Sequence, residues 1–110
     1  MSAYDAFQQV DMRIGTVISA EPFPEARKPA IKLVIDFGPE LGRKQSSAQL
    51  TRRYTPGELV GRQVVAAVNL GTRRIAGFTS EVLVLGAVPE EGDVILLAPD
   101  AGVANGVRIA

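Results

Sequence analysis

The sequence contains no cysteine and no histidine. The first absence removes disulfides, thiol nucleophiles and thiolate metal sites together. The second removes the usual general base and the usual zinc ligand. A metal would have to rest on carboxylates alone, and the acids follow no metal-loop spacing, so neither metal nor cofactor is expected. Tryptophan is absent too, leaving four Phe and two Tyr as the whole aromatic set. So small a set argues against a stacking platform that tracks single strands. No apolar stretch exceeds strand length, and Met1-Ser2-Ala3-Tyr4-Asp5 has no basic start and no apolar run behind it. No membrane insertion is expected, and the cytoplasm is the expected location.

Catalysis finds little to build on. Ser46, Ser47 and Ser80 have no histidine to activate them, and no motif supports pairing one with Lys32 or Lys44. Neither a Gly-Lys-Ser/Thr phosphate loop nor a Gly-x-Gly-x-x-Gly fingerprint occurs. No catalytic residue is assigned, and the chain is not expected to be an enzyme.

What is present is a core and a divided charge. The 110 residues are 46% hydrophobic, enough for one domain, residues 1–110, without covalent staples. The net charge is zero, yet residues 27–74 hold ten of the twelve basic residues against three acids. That window carries +7 and its flanks carry −7. Such division either builds a basic face that attracts polyanions, nucleic acid first among them, or scatters solvated Arg and Lys around the domain.

Ser2 and Asp5 signal a helix start, with Tyr4, Phe7 and Val10 on one face over residues 1–10. From Asp11 the period becomes two, placing Met12, Ile14, Thr16, Ile18 and Ala20 on one side of a long strand. Residues 21–29, with three prolines, read as a loop; 30–37 as a second strand; 38–42 as a turn; and 43–49 as a polar third strand. Residues 50–59 read as a short helix or turn, 63–70 as a strand, and 71–78 as a basic loop. Residues 81–88 read as a buried strand, 89–93 as an acidic turn, 94–98 as a last strand and 99–110 as a Gly-rich tail. Short strands with regular turns fit a small all-β barrel or sandwich. A helix-like insert between strands three and four is the arrangement of the five-stranded Greek-key OB-fold barrel.

Three segments carry candidate chemistry. Lys44-Gln45-Ser46-Ser47-Ala48-Gln49 puts hydrogen-bonding groups on both faces of a strand, as a ligand surface for phosphate, ribose or base edges would, or as an edge strand kept polar against aggregation. The stretch from Asn69 to Ser80 offers Arg73 and Arg74 as guanidinium forks for phosphate, or is a polar loop with ordinary surface arginines. Arg52-Arg53-Tyr54 extends the basic face, with Tyr54 stacking on a base or packing on its own barrel. Few aromatics favour a structured RNA read by shape and by loop bases.

Read in order, Gly15-Thr16-Val17, Pro24-Glu25-Ala26, Ile31 to Gly38, Gln45 to Gln49, Tyr54-Thr55-Pro56, Leu59 to Val64 and Arg74 to Leu83 resemble the tRNA-binding domain family, an OB-fold module. The resemblance covers essentially the whole chain. It implies a homodimer whose interface includes the first helix and the tail, and tRNA or structured RNA as partner. Lys32, Lys44, Gln45, Ser47, Arg52, Arg53, Asn69, Arg73, Arg74 and Ser80 form the expected RNA-binding set. Synthetase-type members carry Ser-Gln-Gly-Met where this chain has Ser80-Glu81-Val82-Leu83. That departure moves the resemblance toward stand-alone bacterial members that act as export-related chaperones. Such members imply unfolded preproteins and the SecA export motor as partners, with Phe23, Ile75 and Phe78 lining a peptide groove. RNA binding and peptide binding both stay open, together or with the peptide function alone.

Overall fold

In the computed structural model, which describes all of residues 1–110, Ser2 opens the first helix, α1 (Ala3–Gln9), with a capping box. Its hydroxyl accepts from the Asp5 N–H at 3.1 Å, and the Asp5 carboxylate accepts from the Ser2 N–H at 3.2 Å. The helix buries none of its own residues, so Tyr4 and Phe7 stand exposed. The barrel strands follow: β1 (Met12–Pro22), β2 (Ile31–Asp36), β3 (Arg43–Ala48) and β4 (Gln63–Ala67). Short helices α2 (Gly38–Leu41) and α3 (Pro56–Leu59) sit before and after β3. A hairpin of β5 (Arg73–Ile75) and β6 (Phe78–Ser80) comes next, then β7 (Leu83–Val84). A second hairpin pairs β8 (Gly86–Glu90) with β9 (Asp93–Leu96).

One antiparallel sheet runs in the order β3-β2-β1-β4-β7. Bonds from β3 to residues 80–82 nearly close it: the Ser46 hydroxyl donates to the Val82 carbonyl at 2.9 Å, and the Ser47 N–H to the Ser80 hydroxyl at 3.2 Å. This is the expected five-stranded OB-fold barrel, with α3 between β3 and β4. Its interior holds Val17, Ile31, Leu33, Ile35, Phe37, Leu50, Leu59, Val64, Ala66 and Val82. No helix is long and apolar enough to cross a membrane.

β1 is shared between two partners, with Met12–Thr16 on β4 and Thr16–Pro22 on β2. Closure at the switch depends on Gly15, where a Cβ would stand 2.6 Å from Ile35 Cγ2 and 2.7 Å from Phe37 Cδ1. The simple alternation from Met12 to Ala20 therefore breaks. Met12 and Ile14 join a second cluster with Val65 and Ala67, Val17 turns into the barrel, and a bulge follows between Val17 and Ser19. The tail lies along the free edge of β1, where the Ile14 N–H donates to the Val107 carbonyl at 2.9 Å and the Ile109 N–H to the Met12 carbonyl at 2.9 Å.

Three further expectations are corrected. Residues 38–41 form a helical turn, and the basic loop of 71–78 is a hairpin. The continuous buried strand over 81–88 is broken, with only Val82 buried and Leu83 and Val88 exposed. The chain leaves β4 after Leu85, whose N–H donates to the Val65 carbonyl at 2.9 Å, because Gly86 and Ala87 pair with Leu96 and Ile95 instead.

Candidate nucleic-acid interface

Two arms rise from one rim of the barrel. The first is the proline-rich loop of residues 23–30, pinned at its base by Phe23, which is 3% exposed and whose N–H donates to the Ala30 carbonyl at 3.1 Å. Prolines 24 and 29 stiffen the crest, on which Arg27 and Lys28 are exposed. The second arm is the β5–β6 hairpin, in register Arg73↔Ser80, Arg74↔Thr79 and Ile75↔Phe78. Its two-residue turn holds Ala76 at φ 46° and Gly77 at φ 82°, the left-handed pair that matches strand twist in a tight hairpin.

The polar third strand seats this hairpin. The Gln45 side-chain amide donates to the Thr79 carbonyl at 2.8 Å, and its backbone N–H to the Glu81 carboxylate at 3.1 Å. The Glu81 N–H returns a bond to the Gln45 carbonyl at 2.8 Å. Phe78 then reaches the first arm, meeting Phe23 edge-on at 5.4 Å between ring centroids. The Lys32 ammonium covers both rings, 4.6 Å from the centroid of Phe23 and 5.3 Å from that of Phe78.

Between the arms lies a cleft of about 350 Å³ whose lining includes Arg27, Lys28, Ser47, Gln49, Arg73, Arg74 and Ile75. It contains four cations and no acid. Arg27, Arg73 and Arg74 form no ion pair, and Arg74 donates to the Thr79 hydroxyl at 3.0 Å. A second hollow of about 350 Å³ lies on the other side of Arg73 and Ile75, edged by the exposed Leu70 and Leu83. The pair of hollows offers phosphate-binding forks on one side and apolar surface on the other.

Several expected contact residues are occupied within the protein. Asn69 accepts from the Asp11 N–H and donates to the Gln9 carbonyl, both at 2.8 Å, tying α1 to the barrel. Arg53 grips Asp93 in a two-pronged pair, with Nη2 donating at 2.8 Å. Asp93 is 4% exposed, and its hydrogen bond to Arg53 holds the carboxyl below its ordinary range. The Tyr54 hydroxyl accepts from the Leu96 N–H at 3.1 Å while Arg62 covers the ring, so this Tyr packs on its own barrel. Gln45 and Ser80 serve the barrel seam, Lys44 lies at the start of β3, and Arg52 pairs with Glu90 at 2.8 Å. Of the expected peptide-groove residues, Phe23 is buried, Phe78 is half-buried beneath Lys32, and Ile75 lines both hollows.

The cleft brings together Ser47, Arg73 and Arg74 from the expected set and adds Arg27, Lys28 and Gln49. The added cations were readable as part of the +7 window, but nothing local marked them beyond their place between prolines. Leu70 ended the strand read over 63–70 and Leu83 fell in the buried strand read over 81–88, so neither was singled out as exposed apolar surface.

A small OB-type barrel with a cationic cleft between two rim arms has the shape and charge that suit a polyanion. Residues 12–108 match the family model of the tRNA binding domain, and the chain belongs to that family. It is similar along its whole length to the chaperone CsaA of Bacillus anthracis, with 59% identity, a TM-score of 0.94 and coverage of 99% of that chain. The CsaA chaperone of Picrophilus torridus matches at 44% identity and a TM-score of 0.90, with 100% of both chains covered. A methionine–tRNA ligase of Methanothrix thermoacetophila is 39% identical over 106 residues, 96% of this chain. The chain spans 15% of the length of that enzyme.

Proposed function

We propose that the chain is a non-catalytic RNA-binding module that holds the phosphate backbone of a tRNA or tRNA-like RNA in the cleft between its two arms. The convergence of Arg27, Lys28, Arg73 and Arg74 on a hollow without an acid carries this reading. Arginine forks suit phosphate oxygens, while Ser47 and Gln49 on the floor offer polar groups to ribose or base edges. The test is tRNA binding followed by fluorescence anisotropy across a salt series. Each phosphate contact contributes about −0.7 to −0.9 to the log–log slope. Replacing Arg73 by Ala is expected to flatten the slope by just under one unit, and an unchanged slope overturns the assignment.

A second function rests on the similarity to CsaA chaperones and on the exposed Leu70 and Leu83 beside Ile75. In this reading the apolar hollow takes up segments of unfolded preproteins in the cytoplasm, with SecA as an export partner. It works in a homodimer whose interface uses exposed Tyr4 and Phe7 of α1 with Val103 and Val107 of the tail. Suppression of client aggregation is expected to weaken in Leu70→Ser with Leu83→Ser and to survive Arg73→Ala. The reverse pattern overturns the apolar-hollow reading.

A further inference from the structure

Beyond the cleft, the same surface continues into a hollow of about 380 Å³ with no hydrophobic lining. Lys28 and Gln49 line both, and the second adds Thr51, Arg52 and Glu91. Its far wall is the tip of the β8–β9 hairpin, which is anchored underneath by the Arg53–Asp93 pair. On that anchored tip, Glu90 reaches Arg52 at 2.8 Å and Glu91 reaches Lys28 at 3.7 Å. Both carboxylates are largely solvent-exposed, 64% for Glu90 and 93% for Glu91. Exposed pairs of this kind hold weakly and are screened by salt.

We propose that this hollow is a second phosphate subsite, in which Lys28 and Arg52 take the next backbone phosphate of an RNA strand leaving the cleft and Glu90 and Glu91 occupy the cations until it arrives. The subsite rests on the RNA reading of the cleft and extends it. The two carboxylates stand where phosphate oxygens would stand, at hydrogen-bonding range of a guanidinium and beside an ammonium. A phosphodiester displaces them without opening any packed contact, because neither acid is buried. The acids thus compete only with RNA that reaches the second hollow, and the Arg52–Glu90 pair stays in place when RNA fills the cleft alone.

Labelled tRNA binding over a salt series tests the subsite with five proteins besides the unaltered chain. They are Arg73→Ala; Arg52→Ala; Glu90→Gln with Glu91→Gln; Lys28→Ala with Arg52→Ala; and these last two pairs of changes combined. Arg52→Ala is expected to flatten the slope by about 0.7 to 0.9, as Arg73→Ala does. Neutralising both acids is expected to raise affinity about three- to tenfold at 0.1 M salt. That gain is expected to fall below about twofold once Lys28 and Arg52 are removed, because the acids then have nothing to occupy. An equal gain in both backgrounds assigns the effect to the general field and overturns the subsite, as does an unchanged slope in Arg52→Ala. If Arg73→Ala also leaves the slope unchanged, the cleft reading falls and the subsite falls with it.

Discussion

The Lys32 ammonium lies 4.6 Å from the centre of the Phe23 ring, and through Phe78 it joins the two arms of the cleft without lining the cleft itself. A residue expected to touch RNA thereby acquires a positioning role. Lys32→Gln is expected to loosen the arms by about 1 kcal/mol and to lower tRNA affinity about fivefold, with no change in salt slope. Lys32→Arg restores most of the affinity, since a guanidinium also covers aromatic faces. A slope flattened as much as in Arg73→Ala would make Lys32 a phosphate contact instead.

The Arg53–Asp93 pair ties the β8–β9 hairpin to the segment before α3. Its hydrogen bond holds the Asp93 carboxyl below the ordinary aspartate value, so the ionised form belongs to the folded state. The stability it contributes is fully present above about pH 4, the unfolded value, and is lost as pH falls through the lower folded value. Asp93→Asn is expected to lower Tm at pH 7 and to weaken its dependence on acid below pH 4. An acid profile identical to that of the unaltered chain contradicts this.

At the hairpin turn, Ala76 has φ 46°, a conformation that costs an alanine about 1 kcal/mol. Ala76→Asn creates the Asn-Gly pair favoured in such turns. It is expected to add about 0.5 to 1 kcal/mol and raise Tm by a few degrees, read by thermal unfolding. A fall in Tm contradicts the turn assignment.

Gly15→Ala tests the barrel closure. Its methyl would meet Ile35 at 2.6 Å and Phe37 at 2.7 Å, both fully buried. A loss of about 1 to 3 kcal/mol is expected in denaturant titration. A neutral result means that β1 and β2 can separate at this point.

Strand periodicity and turn residues made the barrel legible, because Ile31, Leu33 and Ile35 of β2 and Phe37 just after it alternate as their burial does. β1 was harder, since its two halves pair with different strands and its apolar side changes at Gly15. The candidate site was half legible. Arg73 and Arg74 announced themselves beside glycines, but the meeting of Arg27 with Arg73 depends on Lys32 and on the Phe23–Phe78 contact, which link residues far apart in the chain. Arg53 and Asn69 look like ligand-binding residues in sequence, and their partners Asp93 and Asp11 become visible only in the fold.

The salt dependence of tRNA binding tests the central claim most directly when cations of the same +7 segment are compared inside and outside the cleft. Arg27→Ala and Arg73→Ala are each expected to flatten the slope by about 0.7 to 0.9. Arg43→Ala and Arg62→Ala, neither of which lines the cleft, are expected to leave it unchanged. Equal flattening by all four would contradict a cleft-bound backbone and return the charge to a diffuse basic surface.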